Sequence, residues 1–338
     1  VDIKTFLRDE TAWDRPDFES ARGKDPRFAF TQESWAEQRR YLDSAVHALS
    51  AGDQARAARA LAETAPEPFA GDAVRADGPL EIAGWRISIA PATGDIVEIA
   101  APSGLALRGR DEALVAYRYE SYDAADVRQH LDSYLTRRPE WAILDHDRPG
   151  LGKARSAVSA AWRPSLAGVS SSAAGLCIMG EMPPEAHARL GAPRRVELIL
   201  APESETRLVA RVVLHEKPAN RMPEASFLNF APAGAADWRY RKMGALQDPQ
   251  RSARRGGGQL QAVEAAMAVA GEARLTVSPL DSPLVGPLDW PFMRFNPLPP
   301  DLARGLRFNL HNNKWGTNFP MWWSGTVALR FVIDIERR

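Results

Sequence analysis

From residue 79 onward the chain alternates apolar and polar side chains in short runs. Trp85-Arg86-Ile87-Ser88-Ile89 and Asp95-Ile96-Val97-Glu98-Ile99 flank Pro91-Ala92-Thr93-Gly94, a turn sequence between two strands. Further runs predict strands at 113–119, 176–179, 195–200 and 207–214. The final one alternates most cleanly, with Val327, Leu329, Phe331, Ile333 and Ile335 on one side and Arg330, Asp334 and Glu336 on the other. Burial of one face only belongs to antiparallel sheets packed face to face. The pattern thus predicts a mainly β chain built as a large antiparallel β-sandwich. A short amphipathic helix over 123–135 interrupts it, with Val127, Leu131, Tyr134 and Leu135 on its apolar face.

Upstream the period is that of a helix. Ser34-Trp35-Ala36-Glu37 has capping-box spacing, and Trp35, Leu42, Ala45, Val46 and Leu49 then fall on one face. Ser50-Ala51-Gly52 stops that helix, and Asp53 is positioned to cap a second, from Gln54 to about Ala65. Such a hairpin is too small to fold alone, so its apolar stripe needs a partner. The first thirty residues, with Pro16, Gly23 and Pro26, show no sustained period and predict an extended lead-in. The expected division is an extended segment 1–30, a helical hairpin 31–75 that is part of a bundle, and a sandwich 76–338. The opening Val1-Asp2-Ile3-Lys4 lacks an initiator Met, which leads us to expect a segment upstream.

Composition narrows the function classes. Lys plus Arg number 43 and Asp plus Glu 43, which argues against the basic footprint of a general nucleic-acid binder. No apolar run approaches the roughly 18 residues of a membrane span, so a soluble protein is expected, its compartment open. The single cysteine, Cys177, lies in the apolar run Leu176-Cys177-Ile178-Met179. It allows no internal disulfide and reads as a small buried hydrophobe.

Candidate chemistry is sparse over most of the length. The six histidines form no HxH or HxxxH pair. Asp145-His146-Asp147 is compact, but adjacent side chains on an extended chain point apart and rarely share one ion. Ser170-Ser171-Ser172 has no G-x-S-x-G context. The basic, Gly-rich 251–258 segment lacks phosphate-loop spacing and reads as a solvated loop. One segment, 309–323, concentrates four Asn, His311, Lys314 and four aromatic residues around Gly316 and Pro320. Amide groups serve sugar hydroxyls, and aromatic faces serve the apolar side of a sugar ring. Two readings stand for it. His311, Asn312, Asn313 and Asn318 face a ligand beside Trp315, or the Asn side chains satisfy a strand-connecting loop. Trp322 and Trp323 read as packing residues.

Several patches together resemble α-mannosidase-type glycoside hydrolases of family 38. Ile87-Ser88-Ile89-Ala90-Pro91-Ala92-Thr93-Gly94-Asp95-Ile96 is similar to the opening hairpin of their C-terminal β-domain. Lys217-Pro218-Ala219-Asn220-Arg221-Met222-Pro223-Glu224-Ala225 is similar to a segment preceding a central strand. The 278–285 and 311–320 stretches resemble one branch of the family, and the 34–49 helix resembles the helical linker after the catalytic barrel. The resemblance implies a galactose-mutarotase-like supersandwich behind a helical bundle. It also implies that zinc and the Asp nucleophile belong to a retaining β/α barrel outside this chain, which would carry no catalytic or metal-binding residue. The 311–318 loop would reach toward the sugar, and Asp281 joins the substrate-binding candidates. Gln261 stands where a His is expected. The expected partners are carbohydrate and a catalytic barrel chain or domain. The alternatives are a stand-alone carbohydrate-binding or scaffolding sandwich, and a mutarotase-type enzyme in which His311 would pair with an acid.

Overall fold

The computed structural model describes residues 7, 9–111, 113–316 and 319–338. Two antiparallel sheets form a sandwich. The first runs Asp72–Ala73, Ser165–Ser172, Gly175–Glu181, Arg195–Pro202, Arg207–Lys217, Gly325–Arg337, Ala273–Pro279, Ala265–Ala270, Ala236–Lys242 and Ala245–Gln247 in spatial order. The second runs Gln261–Ala262, Leu284–Pro287, Leu306–Asn312, Glu224–Phe230, Val115–Ser121, Ile96–Ala100, Trp85–Ile89 and Leu80–Ile82. Ala106–Arg108 and Ala160–Trp162 pair at its side.

The alternation seen in sequence sets the inner faces. In Gly325–Arg337, Leu329, Phe331, Ile333 and Ile335 are buried while Arg330 and Asp334 turn outward. Outside, Asp334 meets Arg207 of the paired strand at 2.7 Å. Phe308 of the second sheet packs on Phe331 of the first at 5.3 Å between ring centroids, and on Phe230 at 5.8 Å. These rings knit one core. The first hairpin has the expected turn, closed by Gly94 at φ +73°. A β-carbon there would lie 2.9 Å from Ile178, so the site demands glycine twice over. Cys177 is 3% exposed, and burial pushes its thiol up to about 12.

The N-terminal region departs from expectation. Helix α1 (Arg15–Lys24) occupies what reads as an extended lead-in, and α2 (Pro26–His47) starts eight residues before Ser34. The reason lies in the two prolines: each opens a helix at its first turn, where the missing N–H costs nothing. Asp25 caps α2 by accepting from the Arg27 amide, whereas Ser34 sits inside the helix and donates to the Thr31 carbonyl. Helix α3 (Ala51–Ala62) is capped by Ser50 rather than Asp53.

The expected stripe divides in two. Trp35 is buried against Trp322 at 4.7 Å, beside Phe18 at 5.1 Å and Phe28 at 5.8 Å from the same indole. Leu42 and Leu49 stay 55% and 44% exposed, and α3 buries nothing. Arg221, stacked 4.1 Å from Trp13 and hydrogen-bonded to Asp9, locks the lead-in to the sandwich. Three further helices, α4 (Ala124–Tyr134), α5 (Glu140–His146) and α6 (Pro184–Leu190), lie in the connections between strands. Among the described residues, no helix is long and apolar enough to cross a membrane.

Candidate functional site

Three neighbouring strands of the second sheet, Val115–Ser121, Glu224–Phe230 and Leu306–Asn312, carry polar side chains on both faces. On the inner face, Lys217 meets Glu224 at 2.6 Å with both side chains buried. Tyr119 donates to the second Glu224 oxygen at 2.5 Å, and Asn220 Nδ2 donates to it at 3.3 Å. Burial pushes Lys217 down and Glu224 up, and each opposes the other's shift by its charge. Beside them Ser226 Oγ lies 2.6 Å from His311 Nε2 and 3.0 Å from the Tyr117 hydroxyl. Burial, and then the Lys217 charge, holds His311 well below its ordinary value, so the imidazole is neutral. This is a packed polar network between the sheets. The Nε2 partner of His311 is a serine, not the acid that a mutarotase-type pair requires.

The other face of the same strands builds a cavity of about 200 Å³. Residues paired across strands share a face, so Arg118, Phe227 and Asn309 turn outward together, as do Asn229 and Arg307. Phe227 and Arg307 form the floor, with the guanidinium 4.0 Å above the ring. Glu120 neutralises Arg307, which also donates to the Trp290 carbonyl at 2.7 Å. Glu120 also accepts from Tyr122 at 2.5 Å.

One wall is the turn 288–297, where Trp290, Phe292, Arg294 and Phe295 face the cavity. Phe292 packs edge-on to Phe227 at 5.3 Å and stacks with Tyr122 at 6.2 Å. Ser133 of α4 accepts from the Phe295 amide at 2.9 Å, which ties the wall to that helix. Helix α4 supplies His130 and Tyr134. His130 is 2% exposed, and burial, aided by Lys314, His146 and Arg148, draws it to about 2. The last wall is Lys314 and Trp315. Arg148, itself buried, donates to the carbonyls of Asn313 and Lys314 at 2.6 and 2.8 Å and fixes that loop. Lys314 Nζ donates to the Phe292 carbonyl at 2.7 Å, and burial lowers it to about 8.

The expected site residues therefore separate. Trp315 lines the cavity, and its chain neighbour Lys314, not singled out from sequence, lines it too. His311 turns into the core network. Asn313 is 5% exposed, and its amide accepts from Glu224 N and donates to the carbonyls of Met222 and Met321. Asn312 donates to Asn309 at 2.6 Å and accepts from the Lys314 amide at 3.0 Å. Both amides thus satisfy the loop, the second of the two readings of that segment. Asp281 lies elsewhere, in a two-pronged pair with Arg330 at 3.0 Å on each prong. Asn318 lies outside the described residues. Gln261 accepts from Lys242 and donates to Ser252, both at 3.0 Å. The Gly-rich segment, read as a solvated loop, contributes Gly257 to the cavity wall. Among the described residues no three His, Cys, Asp or Glu side chains converge as a metal site, so the donors present do not fit a zinc ion.

Comparison with known proteins gives one family and several folds. The profile of a family described as Domain of unknown function (DUF5054) matches residues 1–209, ending before most of the cavity-lining positions. No curated protein matches. Among solved structures, an alpha-mannosidase from Enterococcus faecalis is similar at 10% identity and a TM-score of 0.47, over 80% of this chain and 31% of that one. A second protein from that organism, in glycosyl hydrolase family 38, is similar at 10% identity and 0.45, over 80% and 32%. A galactose mutarotase-like protein from Lactobacillus casei is similar at 10% identity and 0.41, over 76% and 99%. The chain spans about a third of the length of the two Enterococcus proteins.

Proposed function

This chain belongs to the family described as Domain of unknown function (DUF5054), and from the cavity that its second sheet builds we propose that it binds carbohydrate as the non-barrel portion of a glycoside hydrolase. The carrying observation is the composition of that cavity. Trp290, Phe292, Phe295, Trp315 and Tyr134 surround a floor that holds one ion pair, with His130 and Lys314 in the walls. A sugar ring presents apolar C–H faces and a rim of hydroxyls, and aromatic walls with a few fixed polar groups match both. The volume, about 200 Å³, suits one ring.

In this reading the chain frames a sugar and leaves bond cleavage to a zinc-dependent barrel, supplied by a partner chain or domain. The exposed apolar residues Tyr41 and Leu42 of α2, Leu49 of the turn after it and Leu61 of α3 are the surface offered to that partner. Calorimetric titration of the chain with a glycan panel tests the binding claim. Trp290→Ala and Trp315→Ala should each weaken a bound sugar about tenfold or more. Absence of any sugar binding by the chain, alone and with a barrel, would overturn the proposal. A stand-alone binding sandwich would instead bind glycan at full strength while Leu42→Ser and Leu49→Ser leave every activity of the natural polypeptide unchanged.

A further inference from the structure

Resting on the reading of this cavity as a sugar site, we propose that it selects an acidic sugar, with the carboxylate of a uronate ring seated on Lys314. Three cations line the cavity, Arg294, Arg307 and Lys314, and Arg294 is the exposed one, solvated and set 5.5 Å from the Trp290 ring. The Arg307 guanidinium is committed to Glu120, the Trp290 carbonyl and the Phe227 ring. Glu120 is likewise committed, to Arg307 and Tyr122. Lys314 Nζ has three N–H donors and spends one on the Phe292 carbonyl. Among the described residues it has no carboxylate partner within salt-bridge distance, although it is partly withdrawn from solvent with its ammonium 4.8 Å from the Phe292 ring centre. A cation held in this state is costly, and an incoming anion removes the cost. His130 adds a second unfilled position, since its buried Nδ1 lacks a hydrogen-bond partner among the described residues.

The chemistry favours a carboxylate over a phosphate. One ammonium with two free donors balances a single negative charge. A phosphate dianion calls for a second buried, uncommitted cation or a cradle of backbone N–H groups; Arg307 is already neutralised, and Arg294, the other cation of the lining, is exposed to solvent with its guanidinium 5.5 Å from the Trp290 ring. The wider surface agrees with an acidic chain. Tyr134 and Phe295 also line an open groove that continues from the cavity, and Arg137 and Arg255 stand along it against one carboxylate, Asp145. An acidic oligosaccharide would seat one ring in the cavity and run its neighbours along that groove.

The test is calorimetric titration of the full chain with uronate oligosaccharides, each paired with its methyl ester, and with glucose 6-phosphate. Methyl esterification removes the charge and leaves the rings. The acid should bind about ten- to a hundredfold more tightly than its ester, the usual strength of a hydrogen bond to a charged group. Lys314→Met should abolish that preference, and Lys314→Arg should keep part of it. Equal binding of acid and ester would overturn the inference while sparing the carbohydrate reading. Preference for glucose 6-phosphate over every uronate would overturn the carboxylate assignment. Binding of nothing would overturn both. Should Lys314→Met fail to fold, the acid-against-ester comparison in the unaltered chain still decides the matter.

Discussion

Lys314→Met should stabilise the protein near neutral pH and destabilise it in strong base. Burial lowers the Lys314 ammonium from its ordinary 10.5 to about 8 in the folded chain. At about 1.4 kcal/mol per pH unit, keeping it charged in the fold costs about 3 kcal/mol below pH 8. Between about pH 8 and 10.5 the folded chain releases the proton while the unfolded chain still holds it, so stability rises with pH across that window. Above it both states are neutral and the cost is gone. Methionine carries no charge but forfeits the hydrogen bond to the Phe292 carbonyl, about 1 kcal/mol. The variant should therefore gain about 2 kcal/mol at about pH 7 and lose about 1 kcal/mol at about pH 11. The Lys314 charge helps to hold His130 down, so Lys314→Met raises that imidazole as well, but His130 stays neutral in the fold above about pH 7 and the window above pH 8 reports Lys314 itself. Urea unfolding followed by tryptophan fluorescence at several pH values measures it. A variant that is less stable at neutral pH, or a difference flat in pH, would refute the reasoning. Retention of a lysine that weakens the fold is what a binding group would produce.

Four other outcomes follow from the same contacts. Lys217→Met strands Glu224 as a buried unpaired charge and should cost about 3–5 kcal/mol, most of it recovered when Glu224→Gln is added, as chemical denaturation of both variants would show. Asn313→Ala removes three buried hydrogen bonds and should cost about 3 kcal/mol, read as a lower unfolding midpoint. Trp322→Ala empties the seat of Phe18, Phe28 and Trp35 and should cost about 3–5 kcal/mol, with early proteolysis of α1 and α2. Cys177, buried and raised to about 12, should react with a thiol reagent only after denaturant is added; labelling of the native chain would contradict its placement.

How much of this was legible in the sequence depends on which physical signal each part leaves. Strands with one buried face announce themselves by alternation, so Trp85–Ile89 and the run through Phe331 are visible at once. Pro16 and Pro26 look like helix breakers because a sequence does not say whether a proline opens a turn or interrupts one. Helices α5 and α6 have seven residues each, too few for a period to emerge. The cavity gathers His130, Phe227, Trp290, Arg307 and Lys314 from five places, brought together by strand pairing and by the packing of α4 and two loops on the sheet. One signal pointed to it: Trp290-Pro291-Phe292-Met293-Arg294-Phe295 is an aromatic turn of the same kind as the loop after residue 309.

His311 shows why polarity alone misleads. Leu306 and Phe308 point into the core, so strict alternation would send His311 outward with Arg307 and Asn309, toward the cavity side. The pairing of Phe227 with Asn309 is followed by that of Ser226 with His311, which leaves Leu310 as the extra residue of a bulge. An inserted residue reverses every later side chain on the strand. His311 consequently joins Ser226 and Tyr117 between the sheets, and Asn312 takes the outward place. The bulge also sets the loop that follows, whose Lys314 and Trp315 become a cavity wall. A single irregularity in backbone pairing thus exchanges the core and ligand-facing roles of neighbouring polar residues, and nothing in the order of amino acids marks it beforehand.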